Sequence, residues 1–362
     1  MANKPIVLLI HGMGTHSEQS VKDEFKVGLE KCMEFFGRKD FDVNSKFTLK
    51  TFNYSEPWDE KRKAFAKHLD GEIKESLSLT PQLIQSVFNI IDEFDSDEFL
   101  YTHVLDVLFY LTNVLRENQL VKLHQVLAKA IKDNINDLND DPLIVVAHSL
   151  GTAFIHDCLT QVYSNHLDPS VFALDQLWSV ATVSRLTQMI TQKHDPMKSI
   201  VTDHSETRHG VCKSFFPVYN EFDPFCWFKH YDRKPNAGVF IETKHVRDLK
   251  KIYGRNESMR LNPHDLREYF ADPAVGGRFL ALNGVLKINM NDFTAAQVRY
   301  NQTTITGTIS ESVDNIKAEL KLLGEQTDGF TGMKKKIEAL THVFKLIDEM
   351  RDEFKGIEGD SK

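Results

Sequence analysis

The chain has 362 residues, 41% of them hydrophobic, which suits one large buried core with an insertion or appendage and argues against two independent catalytic domains. A formal net charge of -8 argues against a sequence-independent hold on nucleic acid, which needs a basic face. Cys32, Cys158, Cys212 and Cys226 are scattered, without the paired spacing of a zinc site or a disulfide framework, so reduced structural thiols are expected, with no metal and no cofactor.

The chain runs from Met1–Lys4 into a strand at Pro5–Ile10, without the charged leader, apolar segment and cleavage site of a secretory signal. A cytoplasmic protein is the expectation, export without an N-terminal signal being left open. The first strand closes in His11-Gly12-Met13-Gly14. Glycines there let the chain bend so that a backbone N–H, that of Met13, faces a reacting carbonyl. A helix is predicted near Gln19 to Phe36 and a strand near Phe47 to Tyr54.

From about residue 60 to residue 139 strand signals fade and apolar residues recur at helical intervals, as in Leu83, Val87, Ile90 and Ile91. A helical insertion is expected, merging near Leu120 to Asn136 into the helix before the next strand. Its segment Phe99–Leu115 is strongly apolar but interrupted by His103, Asp106 and Asn113. A charge near the centre of a membrane span costs about 2.5–3.5 kcal/mol, so no transmembrane segment is expected. Periodicity leaves two readings of this segment: a buried core helix, or a helix whose Phe99, Phe109 and Tyr110 line an acyl-chain groove.

The run Leu143-Ile144-Val145-Val146 has the two-face apolar character of a strand inside a parallel sheet. The stretch after it, Gly151 to Tyr163, places Phe154, Ile155, Cys158, Leu159 and Val162 at helical spacing. Ser149 therefore falls at a strand-to-helix turn. Such a turn strains the serine backbone, requires small neighbours at Ala147 and Gly151, and lifts the hydroxyl off the sheet. The Leu150 N–H would be the second oxyanion donor, beside that of Met13.

In Ala147-His148-Ser149-Leu150-Gly151 and His11-Gly12-Met13-Gly14 the chain resembles the α/β-hydrolase family of serine esterases, lipases and thioesterases. Ala147 stands where most members have glycine. The resemblance covers roughly residues 4 to 285 and implies an α/β-hydrolase fold, a mostly parallel central sheet flanked by helices. It also implies that residues 60 to 139 form a lid, and that an acid and then a histidine follow the serine along the chain.

Among acids, Asp223 follows the strand-like Ser214–Tyr219 and precedes Pro224, the place where the family holds its aspartate. Glu221 competes, and an aspartate that only caps a local turn is the plainer reading. Among histidines, His264 in Asn262-Pro263-His264 resembles the loop that delivers the family's base, although Tyr269 follows at longer spacing than usual. His245, just past the strand-like Ala237–Ile241, is the alternative.

Gln176–Thr182 reads as a further strand, and the loop carrying His194, His204 and His209 lacks tight ligand spacing, so a solvated loop is expected there. Beyond about residue 291, Ile309, Val313, Ile316, Leu320 and Leu323 form one stripe and Ile337, Leu340, Phe344 and Ile347 another, with Gly324, Gly329 and Gly332 between. A C-terminal helical hairpin follows, packing on the body or mediating self-association through residues 305–355. The expected organisation is a catalytic domain over residues 1–290 and a helical appendage over 305–362.

The expected activity is cleavage of a small-molecule or lipid carboxylic ester by Ser149, Asp223 and His264, with His11, Gly12, Gly14, Ala147, His148 and Gly151 shaping the supporting turns. A thioesterase or amidase would use the same residues. A hydrolase-fold scaffold binding partners through its C-terminal helices belongs to another class.

Overall fold

The computed structural model describes residues 4–14, 16–55, 57–59, 106–107, 109–110, 113–136, 142–165, 174–185, 187, 199–202, 210–220, 223, 241–243, 264–287 and 289–302. Six parallel strands form one sheet: β1 (Ile6–Ile10), β2 (Thr48–Phe52), β3 (Leu143–His148), β4 (Leu174–Val180), β5 (Cys212–Asn220) and β6 (Ile241–Thr243), in the order β2-β1-β3-β4-β5-β6. Sequence character follows position in the sheet. The interior β3, Leu-Ile-Val-Val-Ala-His, is buried at every residue, whereas the edge strand β2, Thr-Leu-Lys-Thr-Phe, buries only its last. Asp175 ties neighbouring strands together, accepting the Leu143 N–H at 2.8 Å and pairing with Lys213 at 2.6 Å.

Because side chains alternate along a strand, β1 and β3 send Val7, Leu9, Ile144 and Val146 to one face and Leu8, Ile10, Val145 and Ala147 to the other. The first set joins a core with Val21, Phe25, Leu29 and Met33 of α1 (Glu18–Phe35), Phe270 of α4 (Leu266–Ala271) and Phe279 of α5 (Arg278–Leu282). Phe25, Phe270 and Phe279 meet edge to face there, with centroids 4.7–5.6 Å apart. Helix α1 starts at a reciprocal cap, Ser17 Oγ accepting from the Ser20 N–H and Ser20 Oγ from the Ser17 N–H, both at 3.0 Å. It packs against α4 so closely that a Cβ on Gly28 would stand 2.6 Å from the Arg267 carbonyl oxygen.

Helices α2 (Asn113–Asn136) and α3 (Leu150–Asn165) pair with each other, and α3 lies on β1 and β3 at the face carrying Ile10. Helix α6 (Met290–Asn301) docks on α1 through the Arg299 guanidinium, which donates to the Phe35 carbonyl at 2.6 Å, and through Tyr300, edge-on to Phe35. The described elements packed on α1 thus run to Asn301. The strands and helices expected around β1, α1, β2, β3, α3, β4 and β5 are present within a few residues of their predicted bounds. Of the insertion, α2 and residues 106, 107, 109 and 110 are described. The rest of residues 60–139 and the C-terminal hairpin lie outside the described residues. Cys32, Cys158 and Cys212 are buried. No helix among the described residues is long and apolar enough to cross a membrane.

Candidate active site

Strand order reverses direction at β1: the chain moves outward to β2, then returns to β3 on the other side. In open α/β sheets ligands sit beyond the carboxyl ends of the strands at such a switch point. His11 follows β1 there and Ser149 follows β3.

Ser149 has φ of 52°, the left-handed region that a non-glycine residue enters at a cost of order 1–2 kcal/mol. Its surroundings over-determine that conformation. The Ser149 N–H donates to the Val180 carbonyl at 3.0 Å, and the Ser149 carbonyl accepts from the Thr152 N–H at 2.9 Å and from Thr152 Oγ1 at 2.6 Å. Thr152 Oγ1 in turn accepts from the Val183 N–H at 3.1 Å. The small neighbours have a direct steric reason. A Cβ on Gly151 would lie 2.5 Å from the His11 carbonyl oxygen, and one on Gly12 would lie 2.8 Å from the Ser149 Cβ. Ala147, inside β3 between Ile10 and Ser179, fits its methyl with no exposure.

Three side chains from distant parts of the chain meet at this turn. Ser149 Oγ is 2.8 Å from His264 Nε2, and His264 Nδ1 is 2.8 Å from Asp223 Oδ2. A carboxylate only accepts, so Nδ1 carries the proton and Nε2 presents its lone pair to the serine hydroxyl. Asp223 is fully buried and takes a second donor, the Tyr269 hydroxyl, at 2.7 Å. Tyr269 itself accepts from the Asn220 N–H at the end of β5, at 3.0 Å. The long spacing from His264 to Tyr269 is what one turn of α4 requires to return the phenol to the acid. His245 and Glu221, the sequence alternatives, lie outside the described residues.

His148 packs its ring on that of His264, with centroids 4.9 Å apart, and its Nε2 donates to the His264 carbonyl at 2.6 Å. Burial, followed by the proximity of His264, pushes its pKa well below the usual histidine range, so His148 is a neutral prop for the backbone of His264. In the turn after β1, His11 Nδ1 donates to the Gly12 carbonyl at 2.6 Å and stacks on Tyr54, whose hydroxyl donates to the same carbonyl. Leu150 opens α3, so its N–H has no carbonyl one turn back and stands at the positive end of the helix.

Phe109 and Tyr110, read from sequence as groove candidates, are buried. Phe109 meets Trp58 edge-on, and Tyr110 meets Phe154 edge-on while donating to Asp157 Oδ2 at 2.5 Å. Phe99 lies outside the described residues. Sequence reasoning missed Tyr54 and Thr152, and also Asp106, whose Oδ2 accepts from the Gly14 N–H at 2.7 Å. Only Asp106 left a trace, as a lone charge in an apolar run. Among the described residues no group of three or more His, Cys, Asp or Glu side chains could hold a metal ion. No protein-family model matches the chain, and neither curated proteins nor solved structures include a match to it.

Proposed function

We propose that the chain is a serine hydrolase of the α/β-hydrolase kind that cleaves a carboxylic ester. The observation that carries this reading is the continuous hydrogen-bonded line from Ser149 Oγ through the His264 ring to Asp223, at 2.8 Å for each step, on a serine held at positive φ. A structural serine has no need of a strained turn whose hydroxyl meets an oriented imidazole. The parallel sheet, with this line at its carboxyl edge, supports the same reading.

In the proposed mechanism Ser149 Oγ attacks the ester carbonyl while its proton passes to His264 Nε2. Asp223 keeps the imidazole oriented and stabilises the imidazolium. The carbonyl oxygen becomes an oxyanion that the N–H groups of Met13 and Leu150 stabilise, each worth about 2.7–4 kcal/mol by comparison with measured sites. Collapse expels the alcohol, which takes the proton from His264, and leaves an acyl-serine. Water, deprotonated by His264, releases the acid and restores Ser149. Ser149 is fully buried, so an ester reaches it only when the groups over it move, the role proposed for the insertion over residues 60–139 as a lid.

The test is hydrolysis of p-nitrophenyl esters of increasing acyl length by the wild type and by Ser149→Ala, His264→Ala and Asp223→Ala. Wild-type turnover lost about 10³-fold or more in the serine and histidine variants, and less in the aspartate variant, is expected. Equal turnover by wild type and Ser149→Ala would sink the reading. The same series with thioesters and anilides identifies the leaving group the site prefers.

A further inference from the structure

The loop from Gly12 to Gly14 is held from every side but one. The Gly12 carbonyl accepts from Tyr54 and His11, the Met13 carbonyl accepts from His16 Nε2 at 2.9 Å, and the Gly14 carbonyl accepts from Ser55 Oγ at 2.5 Å. The Gly14 N–H donates to Asp106 Oδ2 at 2.7 Å. Among the described residues the Met13 N–H meets no acceptor.

A trans peptide sets its C=O and N–H on opposite sides, and no peptide here is cis. Fixing the Gly12 carbonyl on Tyr54 therefore turns the Met13 N–H away from Tyr54, in a loop where a Cβ on Gly12 would stand 2.8 Å from the Ser149 Cβ. The next peptide holds Met13 from its other side: its carbonyl is bound by His16 and its N–H, that of Gly14, by Asp106. Gly14 has φ of 99°, so the loop has no side chain of its own to brace it there.

We propose that Asp106, a carboxylate supplied by the helical insertion, is a positioning residue that clamps Gly14 and so holds the Met13 N–H in line for the oxyanion. Asp106 is fully buried, in a sequence run that is otherwise apolar, and a buried carboxyl group is costly unless hydrogen-bonded. A charged acceptor gives the stronger and shorter bond to a backbone N–H. By this assignment Asp106 is a fixture of the site and acts on reactivity through the loop at Gly14. The inference rests on the serine-hydrolase reading above.

The experiment uses the full chain with Asp106→Leu and Asp106→Asn. Readouts are kcat and KM on p-nitrophenyl butyrate, thermal melting, and inhibition by an alkyl trifluoromethyl ketone, to which Ser149 Oγ adds as its proton passes to His264, giving a bound oxyanion. For Asp106→Leu, kcat should fall about 10- to 100-fold, less than outright loss of an oxyanion donor, with the ketone weakened in the same proportion and KM changed less than about threefold. The neutral amide oxygen of Asp106→Asn should restore most of this, leaving kcat and ketone binding about two- to fivefold below wild type. An active wild type matched by a folded Asp106→Leu overturns the inference and leaves the hydrolase reading standing. A loss of kcat without a parallel loss of ketone binding also overturns it. If Asp106→Leu fails to fold, Asp106→Asn decides, and values equal to wild type in both readouts overturn the inference. A wild type inert toward ester and ketone removes both claims together.

Discussion

Tyr269 joins the end of β5 to the candidate acid, accepting from the Asn220 N–H at 3.0 Å and donating to Asp223 at 2.7 Å. Tyr269→Phe keeps the ring in the core and removes both bonds. A hydrogen bond to a charged group contributes about 1.5–3 kcal/mol, so urea denaturation should show a loss of that order. Ester hydrolysis should fall about tenfold, because a looser Asp223 orients His264 less well. Full activity with lowered stability would show that Tyr269 only packs. The serine turn was legible in sequence because its requirements are local: an apolar strand, a small residue two positions either side, and a helix. Tyr54 and Asp106 were not, because each acts on a partner that only folding supplies. Asp106 meets Gly14 across 92 positions of chain.

At the scale of elements, apolar runs disclosed the strands and helical spacing disclosed α1 and α3, since burial on two faces or on one stripe is written in the residues themselves. The order β2-β1-β3-β4-β5-β6 could not be read that way, nor could the return of α4 onto α1, next to the segment that sets His264 beside Ser149. That contact carries a charge problem. Glu268 on α4 is buried against α1, and burial pushes its pKa up to about 7, with Asp265 adding to the rise and Arg267, 3.5 Å away, opposing it. The folded state then binds a proton that the unfolded chain releases near its ordinary 4.5. The stabilisation is complete below that pH and is lost as pH rises through about 7. Glu268→Gln removes this dependence. It should therefore raise stability at pH 8, by on the order of 1–3 kcal/mol, and give no gain at pH 4.5. Denaturation at the two pH values measures this, and an equal effect at both would refute the assignment.

For the whole molecule, one parallel sheet gathers residues separated by more than 200 positions, from His11 to His264, at its carboxyl edge. The two faces divide the labour. The core under α1, α4 and α5 fixes the segment bearing His264, while α3 fixes Ser149 and presents the Leu150 N–H. The central claim is that Ser149 is an activated nucleophile rather than a buried structural serine. Reaction of the folded wild type with an alkyl fluorophosphonate, read by intact mass and peptide mapping, tests it most directly. The expected result is one phosphonyl adduct on Ser149, absent from Ser149→Ala and slowed at least 100-fold in His264→Ala. Contradiction would come from a wild type left unmodified, or from an adduct on another residue that persists in Ser149→Ala.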